Sequence, residues 1–432
     1  MSKIEKIQHM AQEKVVPMAK KLNDQRHLTA IKTGLTMVIP FTVIGGIFLI
    51  LAAPPIDPNM IEGTNFFFRF LLAWSSWAGN NYSFLIKPYQ LTMGLLSIYA
   101  VVGISYVLAG KYKLNKINTS LGSLLIFLSV SVSFVDGNLT TGYLGAKGLF
   151  TAILIALLSV EITRFLDEKN IKIKLPDEVP PMVTAPFEAL IPVLVNILVF
   201  MLINSGLGMF GTDIPRLMET ILAPALQGAD TLPTIIMIAI LTRLLWFFGI
   251  HGNSIANAVI LPILTANVTA NAEAVASGAE PTAIFAGYFL TLFGAWAMLP
   301  ALVLTLLVFA KSKKLKVLSK TALITSVFNI NEPLTFGIPI VTNVFLFIPY
   351  VFLPAINVTI AYIITNLGAV GKFYIQVPFT TPGPISAFLA TMDWKAPILY
   401  IALVALNFVL WIPFVKTYDS VVVKEEKENV IQ

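Results

Sequence analysis

The chain has no cysteine, only three histidines (His9, His27 and His251), and charged residues at just 12% of its 432 positions. The first absence excludes disulfides, thiolate metal sites and a cysteine nucleophile on this chain. The second excludes a histidine-rich metal centre, so no metal and no cofactor is expected. Charge is scarcer than the roughly 25% of an ordinary soluble domain, and whole stretches carry none: 33–56, 88–110, 117–135, 189–212, 244–272, 281–310, 333–371 and 396–415. A helix in water must keep one polar face, whereas about 20 apolar residues in helix span a bilayer. The runs are solidly apolar rather than alternating, which argues against an outer-membrane barrel. The fold class is therefore an all-α polytopic membrane protein, with about eight to ten transmembrane helices plus two re-entrant hairpins. No P-loop or Rossmann glycine pattern is present, so this chain does not itself hydrolyse ATP. The net charge of +6 is no sign of nucleic acid, because the basic residues sit at the ends of apolar runs, where they set orientation.

Basic residues cluster in 1–27, at Lys111/Lys113/Lys116, at Arg164/Lys169/Lys172/Lys174, and from Lys311 to Lys320. Segments 52–86, 136–146 and 251–280 hold only Arg69. Placing the first group in the cytoplasm predicts spans near 28–51, 88–110, 117–136, 148–165, 187–209, 283–310, 341–366 and 396–415, with both termini inside. Residues 1–27 have no apolar h-region and read as a cytoplasmic amphipathic segment. Residues 28–210 then form an N-terminal bundle, 211–415 a C-terminal bundle, and 416–432 a charged cytoplasmic tail. The stretch 231–266 must begin and end on one side and is broken at Gly249, His251 and Gly252. Residues 321–340 pose the same problem from the opposite face, interrupted by Asn329, Asn331, Glu332 and Pro333. Paired broken hairpins are the pattern of a transporter binding site. The proline-rich 372–392 reads as an irregular loop with a short dipping piece.

Two stretches carry chemistry. Around Asn329–Ile330–Asn331–Glu332–Pro333, a carboxylate at membrane depth demands a polar cavity or a partner, and amides beside it suit sugar hydroxyls. Around Trp246–Phe247–Phe248–Gly249–Ile250–His251–Gly252–Asn253, a lone histidine sits between glycines, with Trp246 offering a flat face to a sugar ring. Arg243 reads as a structural counter-ion, Glu188 as a helix-end residue, and Glu161 and Arg164 as interfacial. The plain alternatives are a Glu332 paired with a base to join two helices and a His251 that is only a satisfied core residue.

These stretches, together with Pro180–Pro181 and Thr381–Pro382–Gly383–Pro384, resemble the membrane-spanning IIC component of the lactose/cellobiose family of the phosphoenolpyruvate-dependent sugar phosphotransferase system. The resemblance covers nearly the whole chain. It implies a homodimer in the bacterial cytoplasmic membrane, with an N-terminal bundle for dimerisation and a C-terminal bundle holding the sugar between two re-entrant hairpins. It implies a β-linked disaccharide substrate, such as cellobiose, diacetylchitobiose or lactose, phosphorylated at a 6-hydroxyl by the phosphocysteine of a separate IIB protein, itself supplied by IIA. Carried over, Glu332 and His251 are the catalytic pair, Glu332 as base and His251 as orienter. Asn331, Asn253, Trp246, Asn329, Gly252 and Thr381 line the sugar. Besides lipid, the partners are thus the sugar and IIB. A proton-coupled sugar symporter, with Glu332 and His251 relaying protons, is the competing reading; a plain channel or scaffold explains neither the acid nor the paired hairpins.

Overall fold

The computed structural model describes residues 24–54, 66–176, 178–330, 332–338 and 343–431, with the single positions 21, 340 and 341. Among them, eight helices are long and apolar enough to cross a bilayer. They run over Arg26–Ala52, Tyr82–Lys111, Ala146–Glu168, Met182–Gly208, Gly252–Ala276, Leu290–Phe309, Val344–Asn366 and Lys395–Glu428. A pair bent by 73°, Ile214–Ala229 with Leu232–Phe247, raises the count to nine if taken as one broken span. The all-α polytopic class holds.

The chain divides into two compact units. The first comprises 23–227 and 257–279. It contains α1 (Arg26–Ala52), α2 (Phe66–Asn80), α3 (Tyr82–Thr92), α4 (Leu96–Lys111), α5 (Lys116–Ser131), α6 (Leu149–Glu168), α7 (Pro181–Gly208) and α8 (Ile214–Ala229). Leu35, Ile104, Phe127 and Ile155 lie at its centre. Small residues let α1 and α4 touch: a Cβ on Gly34 would stand 2.6 Å from the Ile104 Cα. In lipid, where apolar burial does not drive helices together, such close approach is a main source of affinity. Hydroxyls join the neighbouring helices, with Ser123 and Ser159 oxygens 2.7 Å apart and Asn196 donating to Thr163 at 3.1 Å.

The span expected at 117–136 is instead the short helix α5, ending at Ser131. Asp136 and Gly137, both at positive φ, turn a small hairpin of β1 (Phe134–Val135) and β2 (Asn138–Leu139) there, the residue pair that a tight two-residue hairpin turn favours. Outside the spans, Lys172 bonds Asp167 at 2.9 Å and Glu188 at 3.2 Å; these bonds, Asp167 first, hold its ammonium above the usual lysine pKa. Glu161 binds Arg164 at 3.3 Å and His27 at 2.8 Å.

The second unit takes 228–256 and 280–432. The division expected near 210 therefore lies further on, because Met218, Leu261 and Ala266 pack onto the first core. This unit holds α9 (Leu232–Phe247), the start of α10 (Gly252–Ala276), a π-helical segment Leu290–Trp296 leading into α11 (Ala297–Phe309), α12 (Lys313–Val327), α13 (Glu332–Gly337), α14 (Val344–Asn366), α15 (Gly383–Thr391) and α16 (Lys395–Ile431). Its core gathers Leu302, Tyr350, Val351 and Trp411.

The wide π turn loosens backbone bonding, and the freed carbonyls cannot turn to water inside a membrane. Side chains take them up. Asn357 donates to Gly294 O at 3.1 Å, Tyr400 to Trp296 O at 2.6 Å and Trp411 to Met298 O at 3.3 Å. Asn407 in turn donates to Asn357 Oδ1 at 2.9 Å. The expected tail after Lys416 is helical through Ile431. Its Asp419 accepts from the Lys311 and Ser312 amides, both at 2.9 Å, and Glu426 accepts from the Lys314 amide at 2.9 Å. Two carboxylates thus satisfy the free N–H groups at the start of α12 and complement its dipole.

Candidate functional site

Two helices in the second unit stop by the same device. At the end of α9, Gly249 adopts φ +78° and the Ile250 amide bonds back to Leu245 O at 2.9 Å. At the end of α12, Asn329 adopts φ +63° and the Ile330 amide bonds back to Thr325 O at 2.9 Å. Both are Schellman ends, with a left-handed residue reversing the chain and closing the last carbonyls. Glycine adopts that conformation freely, and asparagine is among the few others that tolerate it. The expected breaks at Gly249 and Asn329 are therefore real chain reversals.

The first tip runs from the end of α9 into the first turn of α10, residues 248–253. It folds so tightly onto α9 that a Cβ on Gly252 would lie 2.1 Å from the Thr242 carbonyl oxygen; only glycine fits. The first arm matches the expected hairpin, while the second, α10, continues to Ala276 as a helix long enough to cross a bilayer. On the tip, the His251 ring lies 4.3 Å from the Trp246 ring. The Ser254 amide donates to His251 Nδ1 at 3.1 Å. With Nδ1 accepting, the neutral imidazole carries its proton on Nε2. Arg243, 6% exposed, donates from Nη2 to Asn253 Oδ1 at 3.2 Å and stands over the Tyr350 ring at 5.8 Å. Among the described contacts, Arg243 thus meets a neutral amide and an aromatic ring.

At the second tip, the buried Asn329 donates both amide hydrogens to backbone, to Phe379 O and Thr381 O, each at 2.8 Å. This side chain ties the end of α12 to the loop carrying Thr381. That loop enters α15 through Pro382 and Gly383, where a Cβ would lie 2.0 Å from the Tyr400 ring. Glu332 opens the six-residue α13, with Leu334 and Thr335 of that helix buried. Asn331 and the Glu332 side chain lie outside the described residues. The first tip touches the chain that follows α13: a Cβ on Gly249 would touch Val341 Cγ1 at 3.3 Å, and the Phe247 ring packs 4.7 Å from Phe347 of α14.

The structure therefore brings Trp246, His251, Gly252 and Asn253 together on one tip, and Asn329 with Thr381 on the other, next to the helix that begins at Glu332. Reading the sequence missed the link from Asn329 to the 379–381 loop, the Arg243–Asn253 pair, and the carboxylates that cap α12. Only Ser312, whose hydroxyl accepts from the Leu315 amide at 3.1 Å, announced a helix start there in the sequence.

An all-helical membrane protein with a polar site built on two interrupted helices is a transporter by architecture. The family model described as "Phosphotransferase system, EIIC" matches residues 32–354. The chain is 32% identical to the oligo-beta-mannoside-specific EIIC component of Bacillus subtilis, over 97% of this chain and 95% of that one. It is 34% identical to the lichenan permease IIC component of the same organism, over 98% and 96%. The crystal structure of ChbC, the IIC component from the N,N'-diacetylchitobiose-specific phosphotransferase system, superposes with a TM-score of 0.86 at 32% identity, covering 97% of this chain and 99% of that one. The chain belongs to the EIIC family of the phosphotransferase system, the multi-span membrane permeases that bind sugar and work with IIA and IIB components.

Proposed function

We propose that this chain carries a β-linked disaccharide across the bacterial cytoplasmic membrane and presents its 6-hydroxyl to the phosphocysteine of a separate IIB protein. The observation that carries the reading is that two reversed helix ends, one bearing His251 and Asn253 and the other leading into Glu332, belong to one core, where Trp246 and Phe247 gather with Leu334 and Ile338. The relatives named for oligo-beta-mannoside, lichenan and N,N'-diacetylchitobiose support the substrate class.

In this reading His251 Nε2–H holds the reactive hydroxyl oxygen and Glu332 accepts its proton. That oxygen attacks phosphorus as the S–P bond breaks, and the thiolate remains on IIB. Trp246 supplies the flat face, Asn253 and Asn331 bind hydroxyls, and Gly252 and Thr381 line the sugar through backbone. Asn329 acts from behind, holding the Thr381 loop in place. Both termini face the cytoplasm, as the lysine and arginine distribution requires. Lipid or a second copy covers the exposed apolar face of α7, where Leu190, Leu194, Leu198 and Leu202 are each more than half exposed; a homodimer formed through the N-terminal bundle would use such a face.

The test is uptake of radiolabelled cellobiose and diacetylchitobiose into vesicles, with phosphorylated IIB added or withheld. Wild type should yield sugar phosphate only with IIB. Glu332→Gln should still bind sugar yet phosphorylate it at least about 100-fold more slowly, the low end for a lost general base. Unmodified sugar accumulating without IIB, and collapsing with a proton uncoupler, would establish a symporter instead.

A further inference from the structure

Arg243 is a buried permanent charge that the reaction described above does not use. Burying a guanidinium is costly unless its donors are satisfied, and an apolar residue would pack at this depth more cheaply. The structure gives it a specific partner. Nη2 donates to Asn253 Oδ1, while the plane stands over Tyr350. A cavity of about 20 Å³, lined by Thr242, Arg243, Asn253 and Thr291 among others, lies beside the pair. Its size suits one water, which would take up remaining guanidinium donors.

The bond has a consequence for Asn253. A carboxamide has one accepting end and one donating end. With Oδ1 held by a cation that can only donate, the amide cannot flip, and its NH2 group is the end left for a ligand. His251 is fixed in the same sense: Nδ1 accepts the Ser254 amide, so Nε2 is a donor. Both polar side chains of the tip are therefore set as donors, each by a bond on its far side.

We propose that Arg243 is a positioning residue that locks Asn253 as a hydrogen-bond donor and, with His251, makes the first tip a donor-only surface. Sugar oxygens facing this tip must then accept, whether as hydroxyl lone pairs, a ring or glycosidic ether, or an acetamido carbonyl. The proton-accepting work then falls to the second arm, where Glu332 opens α13. The two sides of the sugar are thus read by opposite polarities, and a group that can only donate is rejected by the tip. The substrate part of this inference rests on the sugar-site reading above; the lock itself does not.

The experiment uses the full chain in vesicles and has two readouts. The first needs no sugar. Amide hydrogen exchange over 248–254 should rise at least tenfold in Arg243→Met, stay near wild type in Arg243→Lys, and fall in Asn253→Asp, whose carboxylate pairs better with Arg243. The second is affinity for cellobiose and diacetylchitobiose. Arg243→Met should weaken binding about tenfold, and Asn253→Asp at least as much despite its quieter tip, because it loses the NH2 donor. In an Asn253→Leu background, Arg243→Met should add less than twofold, since Arg243 acts through Asn253. Unchanged exchange in Arg243→Met, or a full tenfold loss on top of Asn253→Leu, would overturn the positioning role. If wild type binds neither sugar, the substrate reading falls while the exchange data still decide the lock.

Discussion

The two units meet the same membrane with different means. The first packs regular helices through glycine contacts and hydroxyl pairs, such as Gly34 against Ile104 and Ser123 with Ser159. Within its long helices the backbone is largely self-paired, and side chains serve backbone mainly at helix starts, as where Glu273 accepts from the Ala146 amide and Asn204 from the Ile214 amide. The second is full of interruptions: the Gly249 and Asn329 reversals, the π turn at Leu290–Trp296 and the Pro382 entry to α15. There, asparagine, tyrosine, tryptophan and carboxylate side chains are committed to backbone groups that no longer pair with each other. A binding site at membrane depth needs irregular backbone, and irregular backbone in lipid needs a scaffold of amides and acids around it. Ser123 and Ser159 of the first unit fasten helix to helix; Asn329, Asn357 and Tyr400 of the second replace missing helix.

The contrast can be broken by substitution. The largest effect is expected at Gly34, where valine would drive a Cβ and its methyls into the Ile104 backbone. Gly34→Val should cost about 3 kcal/mol, the upper range of overpacking, read as a fall in thermal unfolding temperature in detergent. A shift under about 1 kcal/mol would show that α1 and α4 can separate cheaply. Next comes Asn407→Leu, which removes the donor to Asn357 Oδ1 at the end of the chain leading to Gly294 O. It leaves a buried acceptor unmet and should cost about 1–3 kcal/mol. The smallest belongs to Ser123→Ala, because Ser159 can bond elsewhere on its own helix; about 0.6 kcal/mol is the usual value for such membrane pairs. Equal losses at Asn407 and Ser123 would erase the distinction between the units.

How far the sequence revealed this follows the same division. Uncharged length marked α1, α4, α6, α7, α14 and the membrane part of α16 closely, since each is a plain apolar run. Gly249–His251–Gly252 announced its reversal because glycines and a lone polar residue have few other uses in an apolar stretch. What escaped notice is tertiary. Residues 214–229 carry no clear span signal, because Pro215, Arg216, Glu219 and Pro224 break up the apolar run; the structure forms α8 there, with Met218 on the first core. The charged residues after Lys416 look like a solvated tail, because the α12 amides that their carboxylates cap lie more than a hundred positions earlier. Asn329 looked like a sugar contact from its neighbours, and only the fold shows its amide hydrogens spent on Phe379 and Thr381. The π turn leaves no periodic trace, because one added residue does not disturb a stretch that is apolar on every side.

The capping of α12 by Asp419 and Glu426 also bears on the order in which the protein is made. A ribosome adds roughly 5–20 residues each second, so the segment that leads to Glu332 leaves it several seconds before its caps exist; Lys313 and Glu426 are 113 positions apart. Until then the first turn of α12 has nothing from α16 to bond. The arm that leads to Glu332 is fastened only after α16 has been synthesised past Glu426, so a truncated or stalled chain would carry its two helix reversals without the anchor that steadies one of them.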